Sequence, residues 1–153
     1  MKIISFSIRK LLAEVKDSKR TNLEITSNLN LEDITESKIE LTKQQSIIIS
    51  FNFYVNYNPN VARIELKGNL ILLDDENKME EIMKSWKEKK LLEEIKLPIL
   101  NYILEKCNIK ALELEEKFGL PLHIPLPKLG ARKTQESPEK LESKGKKSTS
   151  YTG

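Results

Sequence analysis

The only histidine of the chain, His123, and the only cysteine, Cys107, bound the chemistry that this sequence can do. A metal centre built on His123 would need carboxylates around it. None follows within ten residues, and the nearest before it, Glu115 and Glu116, sit in a helical pattern. His123 therefore reads as a structural or surface residue rather than a ligand or base. Cys107 has no histidine near it in sequence and recurs on an apolar helical stripe, which makes it a small core residue. Alone, it also excludes an internal disulfide and any multi-cysteine metal site. The acidic pairs Asp74/Asp75, Glu80/Glu81, Glu93/Glu94 and Glu115/Glu116 have the composition of an acid and its base, but helical solvent faces explain them. With five glycines, none in a phosphate-binding pattern, no nucleotide loop is indicated. Neither catalytic residues nor a cofactor or metal are expected.

Met79, Met83 and Trp86 have a different character. Flexible thioethers and an indole make adaptable apolar surfaces, although at helical spacing the core packing of a short helix is the more ordinary explanation. The strip "FGLPLHIPLPKL" from Phe118 to Leu129 carries Pro121, Pro125 and Pro127 among leucines and an isoleucine. It cannot donate a regular row of backbone hydrogen bonds, so it must run extended, laying Leu120, Leu122, Ile124 and Leu126 on something apolar. It reads as a strap that closes the domain or borders a groove without becoming a sticky strand edge.

The elements that would position these residues divide into a strand half and a helix half. In "SIIISFNFYVNY" the positions Ile47, Ile49, Phe51, Phe53, Val55 and Tyr57 alternate with more polar ones, which is the period of a strand. "NPN" at 58–60 is turn chemistry, after which Ala62, Ile64, Leu66, Leu70 and Leu72 continue the alternation, giving a long antiparallel hairpin. Gly68 falls on the apolar face and signals a bulge or the close approach of a helix. Ile4, Phe6 and Ile8 alternate, the phase slips at Arg9 and Lys10, and Leu11, Ala13 and Val15 resume, as in a bent first strand. Leu23, Ile25, Leu29 and Leu31 give a second strand; after the polar "EDITESK", Ile39 and Leu41 share a parity and could continue it.

"DDENKMEEIMKSWKEKK" is a short amphipathic helix with a capping Asp74 or Asp75, acids in its first turn and lysines in its last. Pro98 suits a first helical position and Leu97 before it is biased toward extended backbone, which places a break there. A second helix then runs to Phe118 on the stripe Ile99, Ile103, Cys107, Ala111, Leu114, Phe118, and stops at Gly119. Its apolar arc, flanked by Leu100, Tyr102 and Leu104, exceeds what one sheet face requires. The surplus, with Ile4, Phe6 and Ile8 of the first strand, is assigned to a subunit contact.

At 153 residues the chain suits one domain, read here as residues 1–129. The net charge of +3 is carried by the tail: residues 130–153 hold six of the 26 basic and three of the 23 acidic side chains, so the remainder holds 20 of each and is neutral. Too few apolar residues occupy the tail to offset the entropy of ordering it, and it is expected to be disordered. A basic tail can touch RNA or acidic lipid, yet a solvated end is the ordinary explanation. No apolar run approaches the roughly 20 residues of a membrane span, and the N-terminus lacks a signal peptide's cleavage site, which implies a cytoplasmic protein without membrane insertion.

The order of these elements resembles SecB-type export chaperones and their SecB-like relatives from Met1 to about Leu129. The hairpin "SIIISFNFYVNYNPNVARIELKGNLIL", the helix "LPILNYILEKCNIKALELEEKFGL" and the following "PLHIPLP" carry the resemblance, which lies in layout and not in a residue signature. It implies an α+β fold with a four-stranded antiparallel sheet and both helices on one face, a dimer-of-dimers assembly, and apolar grooves holding unfolded or export-bound chains. The export chaperone docks its motor through an acidic surface, whereas this body is neutral and its tail basic, so motor docking is not carried over. The leading expectation is a holdase for non-native polypeptide, working as a homodimer or homotetramer. The others are an adaptor with one specific protein partner and, third, a nucleic-acid binder, which would require a basic, aromatic sheet face where Arg63, Glu65 and Lys67 balance one another and Tyr54 alone is aromatic. Client contacts are expected from Met79, Met83 and Trp86 of the short helix, Ile48 and Tyr54 of the sheet's outer face, and Leu122 and Ile124 of the strap.

Overall fold

Alternation over four long stretches produces the sheet. In the computed structural model, which describes residues 1–18 and 21–131, β1 spans Lys2–Val15, β2 Glu24–Lys38, β3 Gln45–Asn58 and β4 Ala62–Leu73. All pairs are antiparallel and the spatial order is β1-β4-β3-β2, so the hairpin β3–β4 is central and β1 and β2 are edges. Helices α1, Glu76–Lys87, and α2, Glu93–Lys117, follow. The chain separates into two compact units, Met1–His123 and Ile124–Gly153. In the second, the described residues 124–131 form neither helix nor strand. The expected disordered tail, apart from Gly130 and Ala131, lies outside the described residues.

The helices cover one face. From β3 and β4 that face presents Ile47, Ile49, Phe51, Phe53, Val55, Tyr57, Ile64, Leu66, Leu70 and Leu72, all fully buried. Met79 and Ile82 of α1 and Ile99, Ile103, Cys107, Ala111 and Leu114 of α2 complete the core. Asp75 caps α1, its side chain accepting from the backbone N–H of Lys78 at 2.9 Å. α2 ends in a Schellman motif: Gly119 has φ 63°, its N–H donates to the Glu116 carbonyl at 3.3 Å, and Leu120 N–H donates to Glu115 at 2.8 Å while its side chain is buried.

Two irregularities bend β1, between Ile3 and Ser5 and between Ile8 and Lys10. The second is the phase slip expected at Arg9 and Lys10. The first was not expected: it brings Ile3 opposite Leu72 and leaves Ile4 outside the register and 43% exposed. Phe6 and Ile8 keep the helix-side parity, opposite Leu70 and Gly68. The close approach at Gly68 comes from neither helix. A Cβ there would meet the Ser7 carbonyl oxygen and, at 2.7 Å, Cζ of Phe51, so the missing side chain makes room for a core ring beside the bulge.

Other expectations need correction. The polar interruption "EDITESK" lies within β2, where a register shift between Leu31 and Asp33 rotates Ile34 into the core, 2% exposed. Ile39 and Leu41 fall beyond the strand, and Leu41 is 97% exposed. There is also no break at Pro98, which lies inside α2. The turn before it is held by Ile95 N–H and Lys96 N–H donating to Leu92 O, and by Ile95 packing on the core, while the pyrrolidine ring faces out. Tertiary burial on both sides outweighs the roughly 3 kcal/mol that an interior proline costs.

Candidate functional site

Where β2 ends the sheet, the helices leave a gap. The C-terminal turn of α1, the connection to α2 and the first turns of α2 face β2 across a groove of about 510 Å³, lined by Leu29, Asn30, Leu31, Trp86, Lys89, Lys90, Leu91, Lys96 and Leu100. Five of these nine are large apolar residues and three are lysines. Leu29 and Leu31 point to the helix side because they stand opposite Phe53 and Phe51 in the register. Trp86 is carried there by the amphipathic period of α1, one turn beyond Ile82 and Met83, and is partly buried against the core.

A second feature lies at the other end of α2. Glu115 is fully buried and anchors three groups. Its Oε1 lies 2.8 Å from Nδ1 of His123 and accepts from the His123 backbone N–H at 3.1 Å; its Oε2 lies 2.8 Å from the Tyr57 hydroxyl. That hydroxyl also reaches the Pro121 carbonyl at 2.6 Å, and Nε2 of His123 lies 2.9 Å from Oδ1 of Asn108. Phe53 meets the imidazole edge to face, with centroids 6.1 Å apart. Burial, together with the adjacent Glu115 carboxylate, pushes the Tyr57 phenol well above its usual value. This cluster ties the start of the proline strip to the sheet and to α2. Glu115 therefore does not belong to a solvent face. The stripe Ile103, Cys107, Ala111 continues by four to Glu115, and a carboxylate on a buried stripe requires partners. That spacing was the available signal. Phe118, expected on the stripe, is 41% exposed because the helix has already turned away.

The sequence-derived client residues do not converge. Met79 is 6% exposed and belongs to the core. Met83 is partly buried against the same core, and Trp86 alone of the set lines the groove. Ile48 and Tyr54 lie on the face of the sheet away from the helices. Tyr54 there carries the Arg63 guanidinium 4.6 Å above its ring and accepts from Asn28 Nδ2 at 3.2 Å. Leu122 is 37% exposed near the Glu115 cluster, and Ile124 falls in the second unit. Leu29 and Leu31 were missed because which strand would be the edge facing α1 is a matter of topology; Lys89, Lys90, Leu91, Lys96 and Leu100 were missed because the connection after α1 and the start of α2 read as a solvated stretch and a subunit contact.

The residues expected at a subunit contact also part company. Phe6 stacks on Phe51 at 5.3 Å and meets Tyr102 edge to face at 6.1 Å, so both rings are engaged within the subunit. Ile8 packs partly on the core, Leu100 faces the groove, and Ile4 and Leu104 are the exposed members. On the uncovered sheet face, Lys10 and Arg63 pair with Glu65 at 3.0 and 2.9 Å, and Lys67 pairs with Glu32 at 3.2 Å. Among the described residues no cluster of three His, Cys, Asp or Glu could hold a metal, and no helix is long and apolar enough to cross a membrane.

No family model and no curated protein matches this sequence. Among solved structures, the fold matches the Mycobacterium tuberculosis Rv1957 SecB-like chaperone in complex with a ChAD peptide from the Rv1956 HigA1 antitoxin. The TM-score is 0.55 at 11% identity, over 84% of this chain and 89% of that one. The fold is SecB-like. The four-stranded antiparallel sheet with two helices on one face is thus the α+β arrangement that the order of elements implied. At 11% identity the likeness extends to the SecB-like fold and not to individual residues.

Proposed function

We propose that this protein is a SecB-like holdase, binding non-native polypeptide without catalysis in the groove between β2, Trp86 and the start of α2. The observation that carries the reading is the groove itself: five large apolar side chains left partly uncovered at an edge strand of a SecB-like fold. Burying an extended segment's side chains there gains about 25 cal/mol per Å² of apolar surface. One such site binds weakly, and several on a homodimer or homotetramer gain avidity. Its place of action in this reading is the cytoplasm, and export-bound chains are among its clients.

The test is suppression of aggregation of several unrelated unfolded proteins, compared with Trp86→Ala. The substitution should weaken client binding several-fold with little loss of stability, since the indole is partly solvated before a client arrives. If instead it costs the roughly 3 to 5 kcal/mol of a buried aromatic and client affinity per folded molecule is unchanged, the groove is not the site. One observation favours a second reading, an adaptor with a single partner: the Mycobacterium tuberculosis chaperone of this fold holds a peptide from one antitoxin. Suppression confined to one client would favour it.

A further inference from the structure

The groove has a charged rim that its apolar floor does not require. Lys89, Lys90 and Lys96 line it, and no carboxylate among the described residues stands within ion-pairing distance of any of them. The acids of the same stretch, Glu88, Glu93 and Glu94, do not line it. Three uncompensated cations thus surround Leu29, Leu31, Trp86, Leu91 and Leu100.

The backbone at one of these lysines is also unusual for its side chain. α1 ends in the same motif as α2: Lys89 N–H donates to Trp86 O at 3.0 Å and Lys90 N–H to Ser85 O at 2.9 Å. The residue at the left-handed position of that motif is glycine at the end of α2, Gly119 with φ 63°, but lysine at the end of α1, Lys89 with φ 56°. A side chain there is disfavoured relative to glycine. The exposed Lys89 side chain makes no ion pair with a described residue that would offset the disfavour. Backbone conformations of this kind cluster at binding sites; the other lysine that has one, Lys43 with φ 52°, lies in the exposed connection between β2 and β3.

We propose that the groove selects extended polypeptide segments in which apolar residues are flanked by aspartate or glutamate. This rests on the groove being the polypeptide site: the apolar floor supplies affinity and the lysines supply the choice, by attracting acidic flanks and repelling basic ones.

The experiment uses the full chain and its single tryptophan, Trp86, as the fluorescent reporter. Three peptides share one apolar core and carry Glu, Gln or Lys on both sides. The Glu-flanked peptide should bind about tenfold more tightly than the Lys-flanked one at low salt, with the gap closing in about 0.5 M salt. Lys89→Gly should raise Tm by relieving the backbone and reduce affinity for the Glu-flanked peptide about threefold, leaving the Gln-flanked peptide unchanged. Equal binding of all three peptides, or tighter binding of the Lys-flanked one, overturns the charge selection while leaving the groove as a polypeptide site. Binding of none removes both. A lower Tm for Lys89→Gly would mean that the lysine is held for packing, and would overturn the argument from the backbone.

Discussion

Among the described residues, His123 and Glu115 form the one acid–imidazole contact in the core, Nδ1 to Oε1 at 2.8 Å, with the carboxylate fully buried. Eight residues separate them in sequence, and the Schellman turn at Gly119 folds the chain back so that they meet. The contact is positional rather than catalytic: it holds the start of the proline strip against Tyr57 and the C-terminal turns of α2.

The first prediction concerns the Tyr57 hydroxyl, whose one proton lies between Glu115 Oε2 and the Pro121 carbonyl and whose removal leaves two buried acceptors with no hydroxyl to share. Tyr57→Phe should destabilise by roughly 1 to 3 kcal/mol, and Glu115→Ala, which strands three groups, by more. Urea unfolding measures both. A Tyr57→Phe variant within about 0.5 kcal/mol of the parent would show that the cluster contributes nothing net.

Glu65 carries the clearest pH dependence. The Arg63 guanidinium first, and Lys10 second, hold its carboxyl below the ordinary value of 4.5. A folded-state value lowered in this way adds stability that is complete above about 4.5 and is lost as pH falls through the lower folded value. Glu65→Gln should therefore lose about 1 kcal/mol or less near neutrality and nothing near pH 2, flattening the acid limb of a stability profile. A constant difference at both pH values would exclude the ion pairs as its cause.

Cys107 should be inert. Burial pushes its thiol up to about 12, so at pH 8 it is protonated and fully enclosed by the core. Labelling by a thiol reagent should then need opening of the core, and should accelerate with denaturant in step with unfolding. Rapid labelling of the native protein would show that the α2 stripe opens locally.

The strands, both helices, the Schellman stop at Gly119 and the buried Cys107 were legible because each depends on local periodicity or a single backbone requirement. The shift that buries Ile34 was not, since one extra residue in β2 has no signature in an otherwise polar stretch. Pro98 misled for a related reason: local preference argued for a break, and burial of Ile95 and Ile99 on either side overruled it. Of the site, only Trp86 could be named in advance. Leu29 and Leu31 meet it only through the strand order β1-β4-β3-β2, which leaves β2 uncovered at its edge.

The last prediction concerns assembly. β1 is the other open edge, and Ile4 at 43% and Leu11 at 49% exposure stand on it beside the α2 flank that carries Tyr102. An edge strand bearing exposed aliphatic side chains is a template for pairing with another copy unless something covers it. We therefore expect a homodimer or homotetramer with β1 at a self-complementary contact. Light scattering should give at least twice 17.7 kDa at micromolar concentration. The pair Ile4→Asp and Leu11→Asp should return the mass to the monomer while the far-ultraviolet circular dichroism is retained, because neither side chain is in the core. A parent protein that scatters as a monomer would remove both the contact and the multivalent binding built on it. An oligomer that survives the double substitution would move the contact away from β1, to the exposed flank of α2 at Leu104 and Ile109.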